Sequence, residues 1–117
     1  MKVEKNKLIL SEAEIQHQIM EYLALIPKVV PKFWRQNTGA MKIEDRFIKF
    51  GETGTSDILG YMNDGKILAI EVKRPGENPT PEQLKFLRGI HKANGIAIIA
   101  RRIEDVNMRL KMAGYLK

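Results

Sequence analysis

The stretch GTSDILGYMNDGKILAIEVKRPG, residues 54–76, decides how this chain folds. Two apolar runs, DILGYM and KILAIEVK, flank the turn residues NDG, and this pattern predicts a β-hairpin. Each run carries charge where a buried strand normally excludes it: Asp57 in the first run, and Glu71 with Lys73 in the second. Charged groups in such positions need partners or a function.

The register of the hairpin depends on the length of its turn. A three-residue loop over 63–65, with Gly65 in the left-handed region, sets Asp57 opposite Glu71. A two-residue turn would instead set Asp57 opposite Val72. We predict the longer loop. Side chains alternate along a strand, so one face of the second strand then carries Ile67, Ala69, Glu71 and Lys73.

The composition is that of an ordinary globular protein. The 117 residues, of which 44% are hydrophobic and 29% charged, predict one domain over 1–117. No run of about 18 apolar residues predicts a membrane span, and the absence of cysteine fits a reducing, intracellular location. The net charge of +6 favours a polyanionic partner such as nucleic acid.

Helical and strand patterns alternate along the chain. Helices are predicted over 11–26, where Ser11 and Glu14 have the form of a capping box, over 81–94 and over 103–114. The runs KFWRQN and RFIKFG predict two further strands, and IAIIA predicts a buried strand parallel to KILAIEVK. The order αβββ(β)αβα with a mixed sheet predicts an α/β sandwich.

Two opposed carboxylates repel each other, and a divalent cation between them would remove the repulsion. Hard oxygen ligands suit Mg²⁺ or Mn²⁺. Lys73, on the same face, could orient or deprotonate an attacking water and stabilise developing negative charge. These parts indicate metal-assisted phosphodiester hydrolysis. The alternative is a surface hairpin with a salt bridge between Glu71 and Lys73.

Asp57, followed after thirteen residues by Glu71-Val72-Lys73, resembles the D…(D/E)xK motif of the PD-(D/E)xK nuclease superfamily. The blocks SEAEIQ, WRQNTGA, RFIKFGETGTSD, AIEVKRPG and TPEQLKFL further resemble the VRR-NUC family, the virus-type replication-repair nuclease domain. The resemblance covers residues 11–106 and implies a restriction-endonuclease-like sandwich. Ser56 stands where the superfamily has a proline, and VRR-NUC members tolerate small residues there.

The resemblance implies a role for each motif residue. Asp57 and Glu71 would bind the metal, with the carbonyl of Val72 as a further ligand, and Lys73 would be the catalytic lysine. The family also uses a glutamate of the first helix.

Two glutamates of the first helix are candidates for that role. On a helical wheel, Glu12 falls toward the core, whereas Glu14 points outward and belongs to the capping box. We therefore choose Glu12. Gln16, one turn further on the same side, would help to hold the site.

Further candidates each have a simpler alternative. Gln83 could complete a capping box with Thr80 or could contact a site residue or the scissile phosphate, and both could hold. Asn37 and Thr38 match family positions near the active site and could contact the DNA backbone, although NTG could be a plain turn. Arg35, at the start of the same stretch, is a further candidate for binding substrate.

A basic ridge is predicted on the outer side of the second helix. Lys85, Arg88 and Lys92 form it, and it could follow the phosphates of DNA or be only a solvated face. The two histidines, His17 and His91, stand too far apart to indicate a metal site. Trp34 is expected in the core.

The predicted function is that of a Mg²⁺- or Mn²⁺-dependent DNA endonuclease. Stand-alone members of the family resemble Holliday-junction resolvases, which implies branched DNA as substrate, a homodimer, and a phage-encoded protein in a bacterial cell. The alternatives are a flap or restriction-like phage nuclease and a non-catalytic basic module that binds nucleic acid.

Overall fold

The computed structural model of the chain describes residues 2–4, 7–36, 39–44, 46–50 and 53–117. Its three helices are α1 (Glu12–Ala24), α2 (Pro81–Lys92) and α3 (Ile103–Met112). Its strands are β1 (Lys2–Glu4), β2 (Lys7–Ile9), β3 (Lys32–Arg35), β4 (Gly39–Ile43), β5 (Arg46–Phe50), β6 (Ile58–Tyr61), β7 (Ile67–Val72) and β8 (Ile96–Ala100).

Four strands form a mixed central sheet in the order β3-β6-β7-β8. The first three pair antiparallel, and β8 pairs parallel with β7, as predicted from the helix that separates them. This confirms a mixed α/β fold. The hairpins β1–β2 and β4–β5 form separate two-stranded sheets, and β1, β2 and β4 were not expected from the sequence.

The turn between β6 and β7 has the predicted three residues. The amide of Met62 donates to the carbonyl of Lys66 at 2.8 Å, so these residues close the loop over 63–65. Gly65 has a φ of +89°, which is the left-handed conformation that glycine adopts most readily. Two groups outside the hairpin also hold this loop. Asn63 donates to the carbonyl of Lys28 at 2.9 Å, and Tyr115 donates to Asp64 at 2.7 Å.

Helices α1 and α2 begin at complete capping boxes. Ser11 and Glu14 exchange both hydrogen bonds at the start of α1, as predicted. Thr80 and Gln83 do the same at the start of α2. These bonds satisfy amide groups that a helix start leaves without partners, and this fixes where each helix begins.

The core lies between the sheet and helices α1 and α3. Buried side chains from α1 (Ile15, Ile19, Leu23) meet those of the sheet and α3, among them Ile58, Leu68, Ile70, Ile98, Val106 and Leu110. Each such side chain contributes about 1.5–3 kcal/mol by leaving water. The expectation that Trp34 belongs to the core is wrong, because it lies on the edge strand β3 and is 40% exposed.

Candidate active site

The hairpin register brings the two acids of the motif together. Ile58 pairs with Ile70, so the residues one step further along, Asp57 and Glu71, lie opposite each other at the end of the β6–β7 pair. The predicted register is therefore confirmed, and the register with Asp57 opposite Val72 is excluded.

Asp57 is held by backbone groups on both sides. Its Oδ2 accepts a hydrogen bond of 2.7 Å from the amide of Val72. Its own carbonyl accepts from the amide of Gln36 at 2.8 Å and from the side-chain amide of Gln16 at 3.5 Å. These bonds fix the orientation of the Asp57 carboxylate relative to the end of β7.

Glu71 is in a very different environment. Only 1% of its surface is exposed, and its Oε2 has no hydrogen-bond partner in the described part of the chain. Burial first, and then the charge of Asp57, raise the pKa of Glu71 to about 8, although the ammonium of Lys73 opposes this rise. A buried carboxylate with an unsatisfied oxygen is costly unless a proton or a cation reaches it.

Lys73 stands beside Glu71, with its Nζ 3.9 Å from Glu71 Oε1. Only 11% of the lysine side chain is exposed, so this pair is not the exposed surface salt bridge of the alternative interpretation. The backbone amide of Lys73 donates to the carbonyl of Ala100 at 3.0 Å, which ties the end of the motif strand to β8. The lysine is therefore held at the site by the sheet itself.

Helix α1 contributes Glu12 to a pocket of about 240 Å³ in front of Asp57. Gln16 and Arg35 line the same pocket together with Asp57 and Val72, so five of the predicted site residues meet there. Glu14 lies instead in the capping box with Ser11. The wheel argument that separated the two glutamates thus places them correctly. The remaining lining residues of the pocket are Ala13 and Gln36.

Glu77 is an acidic neighbour that sequence reasoning missed. Burial, and next the charge of Glu77, raise the pKa of Glu12, and a side-chain hydrogen bond with Glu77 adds to this effect. Glu77 Oε1 accepts from the amide of Arg74 at 2.8 Å, and its carbonyl accepts from the guanidinium of Arg101 at 2.6 Å. The only signal in the sequence was an acid directly after Gly76, in the loop between β7 and α2.

Other predicted residues lie away from this pocket. The side chain of Gln83 is in its capping box with Thr80, and no contact with an acid of the site is described for it. Lys85, Arg88 and Lys92 are exposed along α2, and none of them lines the pocket. Asn37 and Thr38 lie outside the described residues, so their predicted role remains a prediction.

The acids of the site lie near one another, but their described positions do not form a preorganised metal-binding site. Within the described ranges, no three Asp, Glu or His side chains form a cluster that could hold a metal ion. One reason is visible in the contacts: Asp57 Oδ2 is bonded to the amide of Val72, and Glu71 Oε1 faces Lys73. The donor chemistry nevertheless suits a hard cation, since Glu71 Oε2 is a buried carboxylate oxygen without a partner.

In the part of the chain that the structure describes, no helix combines the length and apolar character needed to cross a membrane.

Part of the chain is similar to a known phage protein. A segment of 40 residues is 45% identical to a protein named "Putative nuclease p44" from Acyrthosiphon pisum secondary endosymbiont phage 1. The segment makes up 34% of this chain and 43% of that protein, so the match spans less than half of the relative. No family model matches the chain. No solved structure matches it either. The similarity links this chain in part to a phage protein named as a nuclease.

Proposed function

We propose that this protein is a metal-dependent DNA endonuclease of the VRR-NUC type, built on a restriction-endonuclease-like α/β sandwich. The observation that carries the proposal is the buried Glu71 carboxylate, which lies opposite Asp57 and has one oxygen without a partner among the residues that the structure describes. A fold that only bound nucleic acid would gain nothing from two inward carboxylates, because they repel phosphate. The partial similarity to a phage protein named as a nuclease supports the same function.

The metal in this proposal is Mg²⁺ or Mn²⁺. Its ligands would be carboxylate oxygens of Glu12, Asp57 and Glu71 and the carbonyl oxygen of Val72, all of them hard donors. When bound, the cation would lower the pKa of a water molecule and neutralise charge on the phosphate.

Side chains of the protein would orient the attacking water, bind the phosphate and hold the metal ligands in position. The ammonium of Lys73, held by the sheet, would orient the attacking water and stabilise the negative charge that develops on the phosphate oxygens. Arg35 lines the pocket and would bind a phosphate oxygen through its guanidinium. Gln16, which contacts the carbonyl of Asp57, would keep that acid in position.

The substrate in this proposal is branched DNA, with a four-way junction preferred, cut by a homodimer that presents two active sites. Symmetric cutting of two strands requires two such sites, and one chain of this size offers one. The net charge of +6 suits a DNA ligand. The basic ridge Lys85, Arg88 and Lys92 would contact phosphates outside the cut position, with affinity that falls steeply as salt rises.

Cleavage of three labelled DNAs tests the proposal. A four-way junction, a flap and a linear duplex are incubated with Mg²⁺ or Mn²⁺ and either wild type or Asp57→Asn, which keeps an oxygen to accept from Val72. We expect the wild type to cut branched DNA and the variant to lose activity. If the wild type cuts none of the three, the nuclease proposal is wrong. If it cuts flaps and leaves junctions intact, only the resolvase part is wrong.

A pair of matched variants tests the assignment on α1. Glu12→Gln should lower cleavage by at least about 100-fold, because it removes a charge from the pocket. Glu14→Gln, two residues away, keeps a side-chain oxygen for the capping box and should leave cleavage nearly unchanged. Equal losses in the two variants would contradict the choice of Glu12.

A further inference from the structure

A second concave surface, distinct from the pocket lined by Glu12 and Asp57 (the acidic pocket), has no role in the proposed chemistry. We call it the arginine cleft. Three of its lining residues are Arg74, Arg101 and Arg102, and its volume is about 540 Å³. Guanidinium groups keep their charge at every working pH and bind phosphates through paired N–H donors. The cleft is therefore suited to an anionic ligand.

The other lining residues of the cleft are apolar. They are Ile9, Leu10, Ile15 and Pro75. Ile15 is almost fully buried and Leu10 packs on the core, so they form a fixed floor. A phosphate group alone would leave this floor in contact with water. A nucleobase would cover it, because bases have apolar faces and stack well on guanidinium planes.

The cleft and the acidic pocket share structural elements. Arg74 follows Lys73 directly in the chain, and Glu12 and Ile15 lie one turn apart on α1. Glu77 connects the two surfaces: its charge acts on Glu12, its side chain accepts from the amide of Arg74, and its carbonyl accepts from Arg101. A DNA strand that places one phosphate at the acids would thus bring a neighbouring nucleotide to the cleft.

We propose that the arginine cleft binds an unpaired nucleotide next to the phosphate that is cut. The inference rests on the proposed nuclease function and specifies its substrate. A base within intact duplex is stacked and paired and cannot enter a concave pocket, whereas an unpaired base at a flap or branch enters with little loss of stacking. A volume of about 540 Å³ falls in the range of pockets that hold small ligands.

The arginines differ in how firmly they are held. Arg101 already donates to the carbonyl of Glu77 and supports the loop. Arg102 has 72% of its side chain exposed, and its Nε is 3.7 Å from Asp105, an ion pair that is weak in water. Arg74 is exposed, and it holds Glu77 through backbone groups: its amide donates to Glu77 Oε1, and its carbonyl accepts from the amide of Glu77. Arg74 and Arg102 are therefore the side chains to substitute, because they can move to a ligand.

The test uses a flap DNA with the fluorescent base 2-aminopurine at the first unpaired position, bound in EDTA so that no cleavage occurs. We expect the emission to rise on binding, because the base leaves its DNA neighbours, and not to rise when the probe is within the duplex. In Arg74→Ala/Arg102→Ala the rise should disappear. Affinity for the flap should fall about 10-fold more than affinity for linear duplex.

Two control variants distinguish the effect of losing positive charge from the effect of losing the shape of the arginine cleft. Lys111→Ala/Lys117→Ala removes the same charge from exposed positions and should weaken flap and duplex binding equally. Leu10→Trp keeps every arginine but fills the cleft, so it should abolish the emission rise without changing duplex affinity. Thermal melting of each variant shows that it is folded.

The outcomes for the cleft and for the nuclease proposal are distinct. An emission rise that persists in both Arg74→Ala/Arg102→Ala and Leu10→Trp overturns the cleft proposal. Equal losses for flap and duplex in the arginine variant overturn it as well. An emission rise that behaves as expected, in a protein that cuts no DNA with Mg²⁺ or Mn²⁺, supports the cleft and overturns the nuclease proposal alone.

Discussion

Replacing Glu71 by glutamine should stabilise the protein when no divalent cation is present, although Glu71 belongs to the proposed active site. Burial and Asp57 raise the pKa of Glu71 from 4.5 to about 8 in the folded chain. At pH values between about 4.5 and about 8, the Glu71 side chain is protonated in the folded state but ionised in the unfolded state. Stability must then fall as pH rises from about 4.5 to about 8. Below about pH 4.5 the free-energy cost of ionising the buried Glu71 is absent, and above about pH 8 it is fully present.

The size of the effect follows from the same pKa difference. One pKa unit corresponds to about 1.4 kcal/mol, so the upper limit is roughly 5 kcal/mol. The charges of Asp57 and Lys73 act on Glu71 in opposite directions and are coupled to its ionisation, so we expect only about 2–3 kcal/mol to be measured. For a chain of this length that corresponds to a rise in Tm of roughly 5–10 °C in Glu71→Gln at pH 8.

Differential scanning calorimetry from pH 5 to pH 8.5 in EDTA measures this effect. The wild type should lose Tm steadily as pH rises, and Glu71→Gln should show a much flatter profile. Glu21→Gln is the matched control, because Glu21 is exposed and paired only with an exposed His17. Its profile should follow the wild type. A Glu71→Gln protein that melts below the wild type at pH 8 would refute the argument.

Adding Mg²⁺ should reverse the pH effect in the wild type alone. A cation that binds the folded state adds about 2.7 kcal/mol at a concentration 100 times its dissociation constant. Glu71→Gln lacks the carboxylate that would bind it, so its Tm should barely change. An equal rise of Tm in both proteins would show that the cation binds elsewhere.

Three further predictions concern stability, each measured by thermal unfolding. Ser56 is buried, and its hydroxyl has no partner in the described part of the chain, so Ser56→Ala should raise stability by about 1 kcal/mol; a clear loss would reveal a hidden partner. A Cβ at Gly60 would clash with the carbonyl oxygen of Lys32 in β3, so Gly60→Ala should destabilise the fold by about 2 kcal/mol or more. A Cβ at Gly89 on α2 would meet only open space, so Gly89→Ala should stabilise the fold slightly. Similar changes in stability for the two variants would contradict this reasoning. Tyr115→Phe should lower Tm by roughly 2–5 °C. Because the hydrogen bond with Tyr115 lowers the pKa of Asp64, the Tyr115→Phe deficit should shrink below about pH 4, and a deficit independent of pH would indicate lost packing instead.

The central hairpin could be predicted because its signals are local. The glycine of NDG allows the left-handed residue that a three-residue loop needs, and Gly65 has that conformation. Once the loop length is known, strand alternation places Asp57 opposite Glu71 without any tertiary information. The choice between Glu12 and Glu14 was equally local, since a capping box and a helical wheel suffice.

The features that the sequence did not predict depend on contacts between segments that are distant in sequence. Glu77 acts on the pKa of Glu12, and Arg101, which directly follows β8, donates to the carbonyl of Glu77. No pattern within the loop RPGEN reports a partner 24 residues away. Trp34 was misplaced for a related reason: its apolar character is typical of a core residue, but β3 is an edge strand and leaves one side of it in water.

The two opposed acids are not equivalent, and the difference suggests how the site divides its work. Asp57 accepts from the amide of Val72, so one of its carboxylate oxygens has a fixed donor whether or not a cation is bound. Glu71 has no such donor at Oε2, and burial makes its charged form unfavourable. Glu71 would therefore contribute most of the free energy of cation binding, whereas Asp57 would contribute most to holding the cation in a fixed position. On this argument, Asp57→Asn should impair cleavage more than cation-dependent stabilisation, whereas Glu71→Gln should abolish both. Variants that lose the two properties in the same proportion would show that the acids act as one unit.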